Sequence, residues 1–165
     1  MNTKLAMMAG AILLACGQGA YAANELITLG KSGPGNNAVV TLDGNQNRLT
    51  IDQANTGGAS NHISVFIDGD LNGGPLNASF SSLAQANGLA PGALVQNGFD
   101  NSMAFKVVGS HNIFAAAQLG NNNTIDAFVS GSYNEASVMQ VGEGNVASLS
   151  QTGIGNIVSI SQTSF

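Results

Sequence analysis

Residues 140–162 read QVGEGNVASLSQTGIGNIVSISQ, in which the frame Gln-x-Gly-x-Gly-Asn occurs twice at a spacing of eleven residues. The spacing continues backwards, with an asparagine every eleven residues from 101 to 156 and a glycine three residues before each asparagine. These residues are Asn101, Asn112, Asn123, Asn134, Asn145 and Asn156, with Gly98, Gly109, Gly120, Gly131, Gly142 and Gly153. A repeat of this kind predicts a fold built from similar stacked units.

Two residues before each of these glycines stands a glutamine or a valine. Glutamine holds every second place without exception, so the full repeat is 22 residues long and consists of two similar halves. The glutamines are Gln96, Gln118, Gln140 and Gln151, and Gln162 closes the series. Val107 and Val129 take the other two places, and we expect them to remove one amide from alternate units.

The residues between successive asparagines alternate in polarity. Counting from each asparagine as zero, places two and four are apolar, as in Phe114 and Ala116 or Ala147 and Leu149. This alternation predicts a β-strand with one face turned inward. Recurrent glycine and β-branched residues also oppose a helix. Each eleven-residue unit is therefore predicted to be a strand followed by a short turn that contains glycine.

Two such halves make one rung of a flattened β-solenoid (a β-arcade), an all-β, amyloid-like fold. Adjacent rungs would pair in parallel about 4.8 Å apart, and the two sheets would face each other about 10 Å apart. The glutamines and asparagines would stack on their equivalents one rung away and form ladders of hydrogen-bonded amides that serve polymerisation. The turn glycines would adopt a positive φ, where a Cβ is costly.

The pattern divides the chain into four segments. Residues 1–22 read as a signal peptide with a cationic start, an apolar stretch and a small-x-small cleavage pattern. Residues 23–72 carry degenerate repeats, 73–95 lose the frame and form an insertion with one imperfect strand around 78–85, and 96–165 hold the regular solenoid. Lipidation of Cys16, in place of its removal with the leader, stays open as an alternative.

Charge is scarce along the whole chain. Only 8% of its residues are charged, whereas globular proteins contain roughly 25%. The three basic residues after the predicted leader do not cluster, so nucleic acid is excluded as a partner. Residues 107–165 contain no Lys or Arg, and the last repeat runs to Gln162 without a cap. We therefore expect the final rung to serve as a template on which further copies polymerise.

No constellation of catalytic or metal-binding residues is found in the sequence. His62 and His111 fall in different repeats, and no cysteine follows the predicted leader. The stretch 68–70 (DGD) lacks the remaining ligand positions of an EF-hand, and no Gly-x-Ser-x-Gly elbow occurs. We expect no enzymatic activity, no cofactor and no metal.

The stretch NVASLSQTGIGN at 145–156 resembles the curlin repeat of bacterial curli subunits. The resemblance covers 96–162 closely and 33–72 loosely. It implies a subunit that passes through the periplasm, leaves through a dedicated outer-membrane pore with assembly factors, and polymerises at the cell surface. The resulting fibre would serve adhesion and the biofilm matrix, and a second curlin-type subunit is implied as a partner.

Two alternatives remain at this point. The chain could be the minor subunit that nucleates such a fibre, although no basic final repeat of the kind associated with that subunit is present. It could also be a soluble β-solenoid that binds an extended glycan or ice surface. Such a binder needs a regular outward row of threonine or aromatic residues, whereas the outward places here are mixed.

Overall fold

The computed structural model describes residues 12–16, 25–75, 78–81 and 88–165, and side-chain surroundings from residue 30 onward. Over these residues the chain is all-β. Its strands are β1 (Ile12–Cys16), β2 (Glu25–Ser32), β3 (Asn37–Asp43), β4 (Arg48–Asn55), β5 (His62–Asp68), β6 (Ala93–Gly98), β7 (Ser102–Ser110), β8 (Ile113–Asn121), β9 (Thr124–Ser132), β10 (Glu135–Glu143), β11 (Val146–Ile154) and β12 (Ile157–Thr163). The described part of the chain contains no helix of the length and hydropathy that crossing a membrane requires.

The chain alternates between two parallel six-stranded sheets. The odd sheet has the order β1-β3-β5-β7-β9-β11, and the even sheet has the order β2-β4-β6-β8-β10-β12. From β6 onward, paired residues lie 22 positions apart, as in Gln96 with Gln118 and Gly109 with Gly131. The predicted all-β flattened solenoid of 22-residue rungs is therefore confirmed.

The core fills the space between the two sheets. It is lined by places two and four of the strands, and by place six where that residue is apolar, as at Val107, and it runs without a break from Ala38 in β3 to Leu149 in β11. The two largest core side chains, Phe105 and Phe114, meet across the gap with ring centroids 5.1 Å apart. Burying each Val, Leu, Ile or Phe contributes about 1.5–3 kcal/mol, so the inward places stabilise the stack while the turns set its register.

Extra residues enter the solenoid at two places without disturbing the stack. Asn61 contacts Asn36, 25 positions earlier, and Asn112 contacts Asn72, 40 positions earlier. The longer excursion is the strap, which we define as residues 73–92 between β5 and β6. Its described residues form no strand, and half of the strand expected around 78–85, residues 82–85, lies outside the described residues.

The N-terminal strand β1 lies within the predicted leader. It pairs with β3 and forms the outer edge of the odd sheet. The predicted cleavage site at Ala22 lies outside the described residues. Removal of residues 1–22 would leave β3 as the edge strand of the odd sheet.

Candidate assembly site: stacked amides and an open rung

Asparagine side chains at both turns of each rung form continuous hydrogen-bonded ladders. The backbone N–H and the Nδ2 of Asn112 both donate to Oδ1 of Asn72, at 3.1 and 3.0 Å. The second Nδ2 hydrogen of Asn112 is donated to the carbonyl oxygen of Gly131 at 2.9 Å. In the same way, the backbone N–H and the Nδ2 of Asn134 both donate to Oδ1 of Asn112. Every hydrogen-bonding group of this buried side chain is therefore satisfied, which removes the cost of burying an amide.

Two such ladders run the length of the solenoid, one at each arc. The first consists of Asn36, Asn61, Asn101, Asn123 and Asn145. The second consists of Asn47, Asn72, Asn112, Asn134 and Asn156. In both ladders each Oδ1 accepts from the rung that follows in sequence, so the carbonyl groups point towards the C-terminal rung.

The glutamines of the even sheet form a third ladder with the opposite polarity. Each Nε2 donates to the Oε1 of the next rung, at 2.9, 2.8, 3.1 and 2.8 Å along Gln53, Gln96, Gln118, Gln140 and Gln162. The other Nε2 hydrogen is donated to a backbone carbonyl in the odd sheet, as from Gln118 to Ser102. This ladder therefore links the two sheets as well as successive rungs.

The expectation that valines remove an amide from alternate rungs is wrong. Val107 and Val129 both lie in the odd sheet, where Val107 pairs with Ile67 and Val129 pairs with Val107. Each 22-residue rung contributes one half to each sheet, so these valines form an apolar column in the odd sheet. The glutamine ladder of the even sheet is not interrupted.

The predicted stacking of Gln151 on another glutamine is also wrong. Gln151 belongs to β11 in the odd sheet and pairs with Val129. Its Nε2 donates to the carbonyl oxygen of Glu135 at 3.3 Å, and its buried Oε1 has no hydrogen-bond partner. An unpaired buried acceptor costs about 1–3 kcal/mol. The cost arises because the column behind Gln151 is apolar.

Gln53 is a ladder member that the sequence reasoning missed. It lies six residues after Asn47, the same offset that separates Gln118, Gln140 and Gln162 from their ladder asparagines, so the sequence already indicated its place. Four ladder asparagines upstream of residue 96 were likewise not assigned to the site. The unequal spacings at 47–61 and 72–101 concealed their place in the stack.

Five of the six turn glycines, all except Gly153, lie where one rung presses against the next. Their φ angles range from 102° to 132°. A Cβ on Gly120 would overlap the carbonyl oxygen of Gly142, and Gly142 stands in the same relation to Ser164. The repeated glycine is therefore required by the rung spacing as well as by its backbone angle.

A second special position, directly before every ladder asparagine except Asn61, has a left-handed backbone. Glycine occupies it before Asn36 (Gly35, φ 75°) and in the last two turns (Gly144 and Gly155, each with φ of 69°). In the other turns non-glycine residues take it: Gln46, Leu71, Asp100, His111, Asn122 and Tyr133, with φ between 55° and 61°. The left-handed conformation costs a non-glycine residue roughly 1–2 kcal/mol. The ladder therefore holds the backbone in a conformation that these residues do not favour.

The C-terminal rung exposes one side of every ladder. β11 and β12 are the last strands of their sheets. Within the described residues, Oδ1 of Asn145 and Oδ1 of Asn156 receive no hydrogen. Nε2 of Gln162 donates to Val146 O at 2.9 Å and keeps one hydrogen unused. The same rung exposes large apolar side chains, including Val146, which is 66% exposed, and Ile154, which is 78% exposed.

At the N-terminal end of the even sheet, the glutamine ladder stops at Gln53, because the next strand offers no glutamine. Gln53 pairs in register with Lys31 of β2, and the buried Oε1 of Gln53 has no hydrogen-bond partner. The ammonium of Lys31 donates to the carbonyl oxygen of Asn36 at 3.2 Å, and burial lowers the pKa of Lys31. β2 also shifts its register on β4 between Leu26 and Thr28. β2 therefore covers β4 without completing its amide ladder.

No group of three or more His, Cys, Asp or Glu side chains suited to a metal ion occurs in the described ranges. Comparison with protein families matches residues 131–163 to the curlin associated repeat. No curated protein and no solved structure matches the chain. The matched range holds the last two residues of β9 and all of β10–β12, so it includes the open rung.

Proposed function

We propose that this chain is a secreted subunit of a curli-like amyloid fibre, because residues 131–163 match the curlin associated repeat and the described chain is a parallel β-solenoid. Copies self-assemble at the bacterial cell surface, and the fibre serves adhesion and the biofilm matrix. The observation that supports this proposal best is the open rung of β11 and β12. It presents amides whose partners, elsewhere in the solenoid, are supplied by the next rung.

In the proposed fibre, the open rung of one copy stacks on β3 and β4 of the next copy. Continuation of the ladders places Asn145 beneath Asn36, Asn156 beneath Asn47, and Gln162 beneath Gln53. The spare Nε2 hydrogen of Gln162 then meets the unpaired Oε1 of Gln53. The polarity agrees, since Nε2 points towards the following rung throughout this ladder.

This stacking requires β1 and β2 to leave the sheets, because they occupy the same edges of β3 and β4. β1 belongs to the predicted leader. β2 pairs with an irregular register and leaves the Gln53 acceptor unsatisfied, so β12 of a second copy replaces it with a gain of one amide hydrogen bond. A net hydrogen bond of this kind contributes about 0.5–1.5 kcal/mol.

Two further parts of the proposal derive from the family alone. A dedicated outer-membrane pore with assembly factors exports the chain, and a second curlin-type subunit cooperates with it. A role as the nucleating subunit is the alternative within the same family. It is distinguished by seeding, because a nucleator at substoichiometric concentration accelerates assembly of its partner more than its own assembly.

The proposed function predicts that purified residues 23–165 polymerise without a partner. Because successive strands in the fibre lie parallel at the spacing of a β-sheet, aligned fibres should show a reflection at about 4.8 Å. Thioflavin fluorescence should rise with a lag phase that fibre fragments shorten. A chain that stays monomeric for days, with neither signal, would contradict the proposal.

Replacing a ladder glutamine at the open rung should slow fibre growth more than replacing an outward serine. Gln162→Ala removes the donor proposed to meet the next copy, and Gln140→Ala removes the two ladder contacts that join Gln140 to the rungs on either side. Loss of one hydrogen bond of about 1.4 kcal/mol corresponds to about a tenfold lower elongation rate. Seeded elongation, followed by thioflavin fluorescence, measures this rate.

Ser150→Ala is the matched control, because Ser150 lies on the exposed outer side of β11. Its elongation rate should equal that of the unchanged chain. Equal elongation rates for Gln162→Ala, Gln140→Ala and Ser150→Ala would show that the glutamine ladder does not contribute to fibre growth.

A further inference from the structure

The open rung differs from the earlier rungs because both of its halves carry glutamine at place six, counted from the ladder asparagine. Gln162 holds this place in β12, and Gln151 holds it in β11. In the odd sheet the same place is apolar in every earlier strand from β3 to β9, where it is occupied by Leu42, Ile67, Val107 and Val129. Among the rungs from β3 onward, only the open rung therefore presents a glutamine amide from each of its two strands.

Gln151 is arranged like the glutamines of the even-sheet ladder, although no glutamine precedes it in its own sheet. Its Nε2 donates to the carbonyl oxygen of Glu135, sixteen residues earlier in the opposite sheet. Gln140 makes the equivalent contact with the carbonyl oxygen of Thr124, at the same separation. An amide held in this way directs its second Nε2 hydrogen to the following rung, as Gln140 does towards Gln162. The second Nε2 hydrogen of Gln151 therefore points out of the open end.

A second copy of this chain satisfies only one of these two amides. Continuation of the ladders places Gln162 beneath Gln53, whose buried Oε1 has no hydrogen-bond partner. It also places Gln151 beneath Leu42, because Leu42 follows Asn36 by the same six residues. The aliphatic side chain of Leu42 accepts no hydrogen bond, and burying a polar group without a partner opposes the contact. Stacking of copy on copy is therefore favoured by the even sheet and opposed by the odd sheet.

A first rung that carries glutamine in both halves would complete both amides. Its glutamine in the odd sheet would offer an Oε1 to Gln151, just as Gln162 offers one to Gln140 at 2.8 Å within this chain. None of the rungs formed by β3 to β10 has this composition, because their odd halves carry only apolar residues at place six. The acceptor that matches the open rung therefore belongs to a different chain.

We propose that the open rung docks preferentially on a second, different chain, a parallel β-solenoid whose first rung carries glutamine at place six of both halves. Gln151 selects this chain over another copy, through the amide hydrogen that a copy leaves unpaired. Self-stacking proceeds through the even-sheet ladder alone and is the weaker of the two fits. This inference rests on the proposed function, because it concerns the junction through which the fibre grows.

The first test makes the same substitution in each half of the open rung of residues 23–165. The concentration of soluble chain in equilibrium with fibres, measured by sedimentation, should fall about tenfold for Gln151→Leu, because leucine packs on Leu42 of the next copy. The matched control Gln162→Leu should raise it about tenfold, because the donor to Gln53 is lost. An unchanged or higher concentration for Gln151→Leu would overturn the selection. A fall for both variants would overturn it as well, since added apolar surface would then explain growth.

The second test gives this chain the acceptor that the different chain is proposed to carry. In a chain with Leu42→Gln, the amide of Gln151 has a partner in the next copy, so adding Gln151→Leu should now raise the soluble concentration instead of lowering it. The four chains form a double-mutant cycle, in which the effect of each change on the stability of its own chain cancels. Leu42 and Gln151 have three strands between them within one chain, so their effects couple only where two chains meet. Additive effects would contradict the proposed junction.

The outcomes separate the selection by Gln151 from the proposed function. Circular dichroism verifies that each variant folds, and where Leu42→Gln does not fold, the comparison of Gln151→Leu with Gln162→Leu decides the inference alone. If the unchanged chain forms fibres and either test gives the contrary result, the selection fails while the proposed function stands. If no chain forms fibres, the proposed function fails, and the docking of the open rung fails with it.

Discussion

A chain carrying Gly120→Ala is expected not to form the solenoid, whereas a chain carrying Gly144→Ala should fold with a modest loss of stability. Gly120 has φ of 123°, outside the left-handed region that other residues tolerate, and a Cβ there would overlap the carbonyl oxygen of Gly142 in the next rung. That oxygen belongs to the backbone and is held by the hydrogen bond from Asn123 at 2.9 Å. Neither rung can move without breaking the ladder.

The expected loss for Gly120→Ala exceeds about 4 kcal/mol, a size reached only when strain or overpacking disrupts the fold. Gly144 has φ of 69° and open space around its Cα, so alanine there costs roughly 1–2 kcal/mol. Far-ultraviolet circular dichroism and urea denaturation of freshly purified monomers measure both effects. Equal losses for the two variants would show that contact between rungs is not what requires glycine at 120.

The second large effect is expected for Asn112→Asp, which changes the shape of the side chain very little. Nδ2 of Asn112 donates to Asn72 Oδ1 and to Gly131 O, at 3.0 and 2.9 Å. An ionised aspartate would place an oxygen against both acceptors in a fully buried site. An uncompensated buried charge of this kind costs about 3–5 kcal/mol. We expect a loss of that size at pH 7.

The loss should shrink as the pH falls. Burial and the two facing oxygens raise the folded-state pKa of this aspartate above its unfolded value of about 3.9. Above the unfolded pKa, the unfolded chain ionises more readily than the folded chain, so the destabilisation develops as the pH rises from about 4. Recovery at low pH stays incomplete, since a protonated carboxyl group supplies one hydrogen where the amide supplies two.

Urea denaturation at pH 4 and pH 7 measures the effect as a difference from the unchanged chain at each pH. Asn97→Asp is the control, because Asn97 lies on the exposed outer side of β6. Its stability should change by no more than about 0.5 kcal/mol. A loss for Asn112→Asp that does not depend on pH would contradict a buried, ionised side chain.

Much of the fold was predictable because the repeat states it directly. Asparagines eleven residues apart, with apolar places two and four, specify strands with one inward face. Phe114 and Ala116 point into the core as this pattern requires. The alternation of glutamine and valine also indicated that the two halves of each repeat belong to different sheets. The prediction that Val107 and Val129 leave gaps in alternate rungs overlooked this, because residues 22 positions apart lie in the same sheet.

Other features were not accessible from the pattern, since they depend on residues distant in sequence. Tyr133 and His111 are not typical turn residues, and their positive φ follows from the ladder that surrounds them. Their rings stack with centroids 4.8 Å apart, a contact that only neighbouring rungs create. The unpaired Oε1 of Gln151 likewise depends on Val129, one rung earlier, and not on any local signal.

The sequence by itself determined the period, the strand places and the polar frame, because each of these repeats at a constant interval along the chain. The tertiary structure alone decided where Phe80 and Ser81 of the aperiodic strap lie. Nothing in residues 73–92 indicates that Phe80 rests on Ala115 or that Ser81 meets Glu135, since these contacts form only after the rungs have stacked. Periodic interactions follow from the spacing of residues along the chain, whereas the contacts of a loop with a sheet depend on the sheet being folded first.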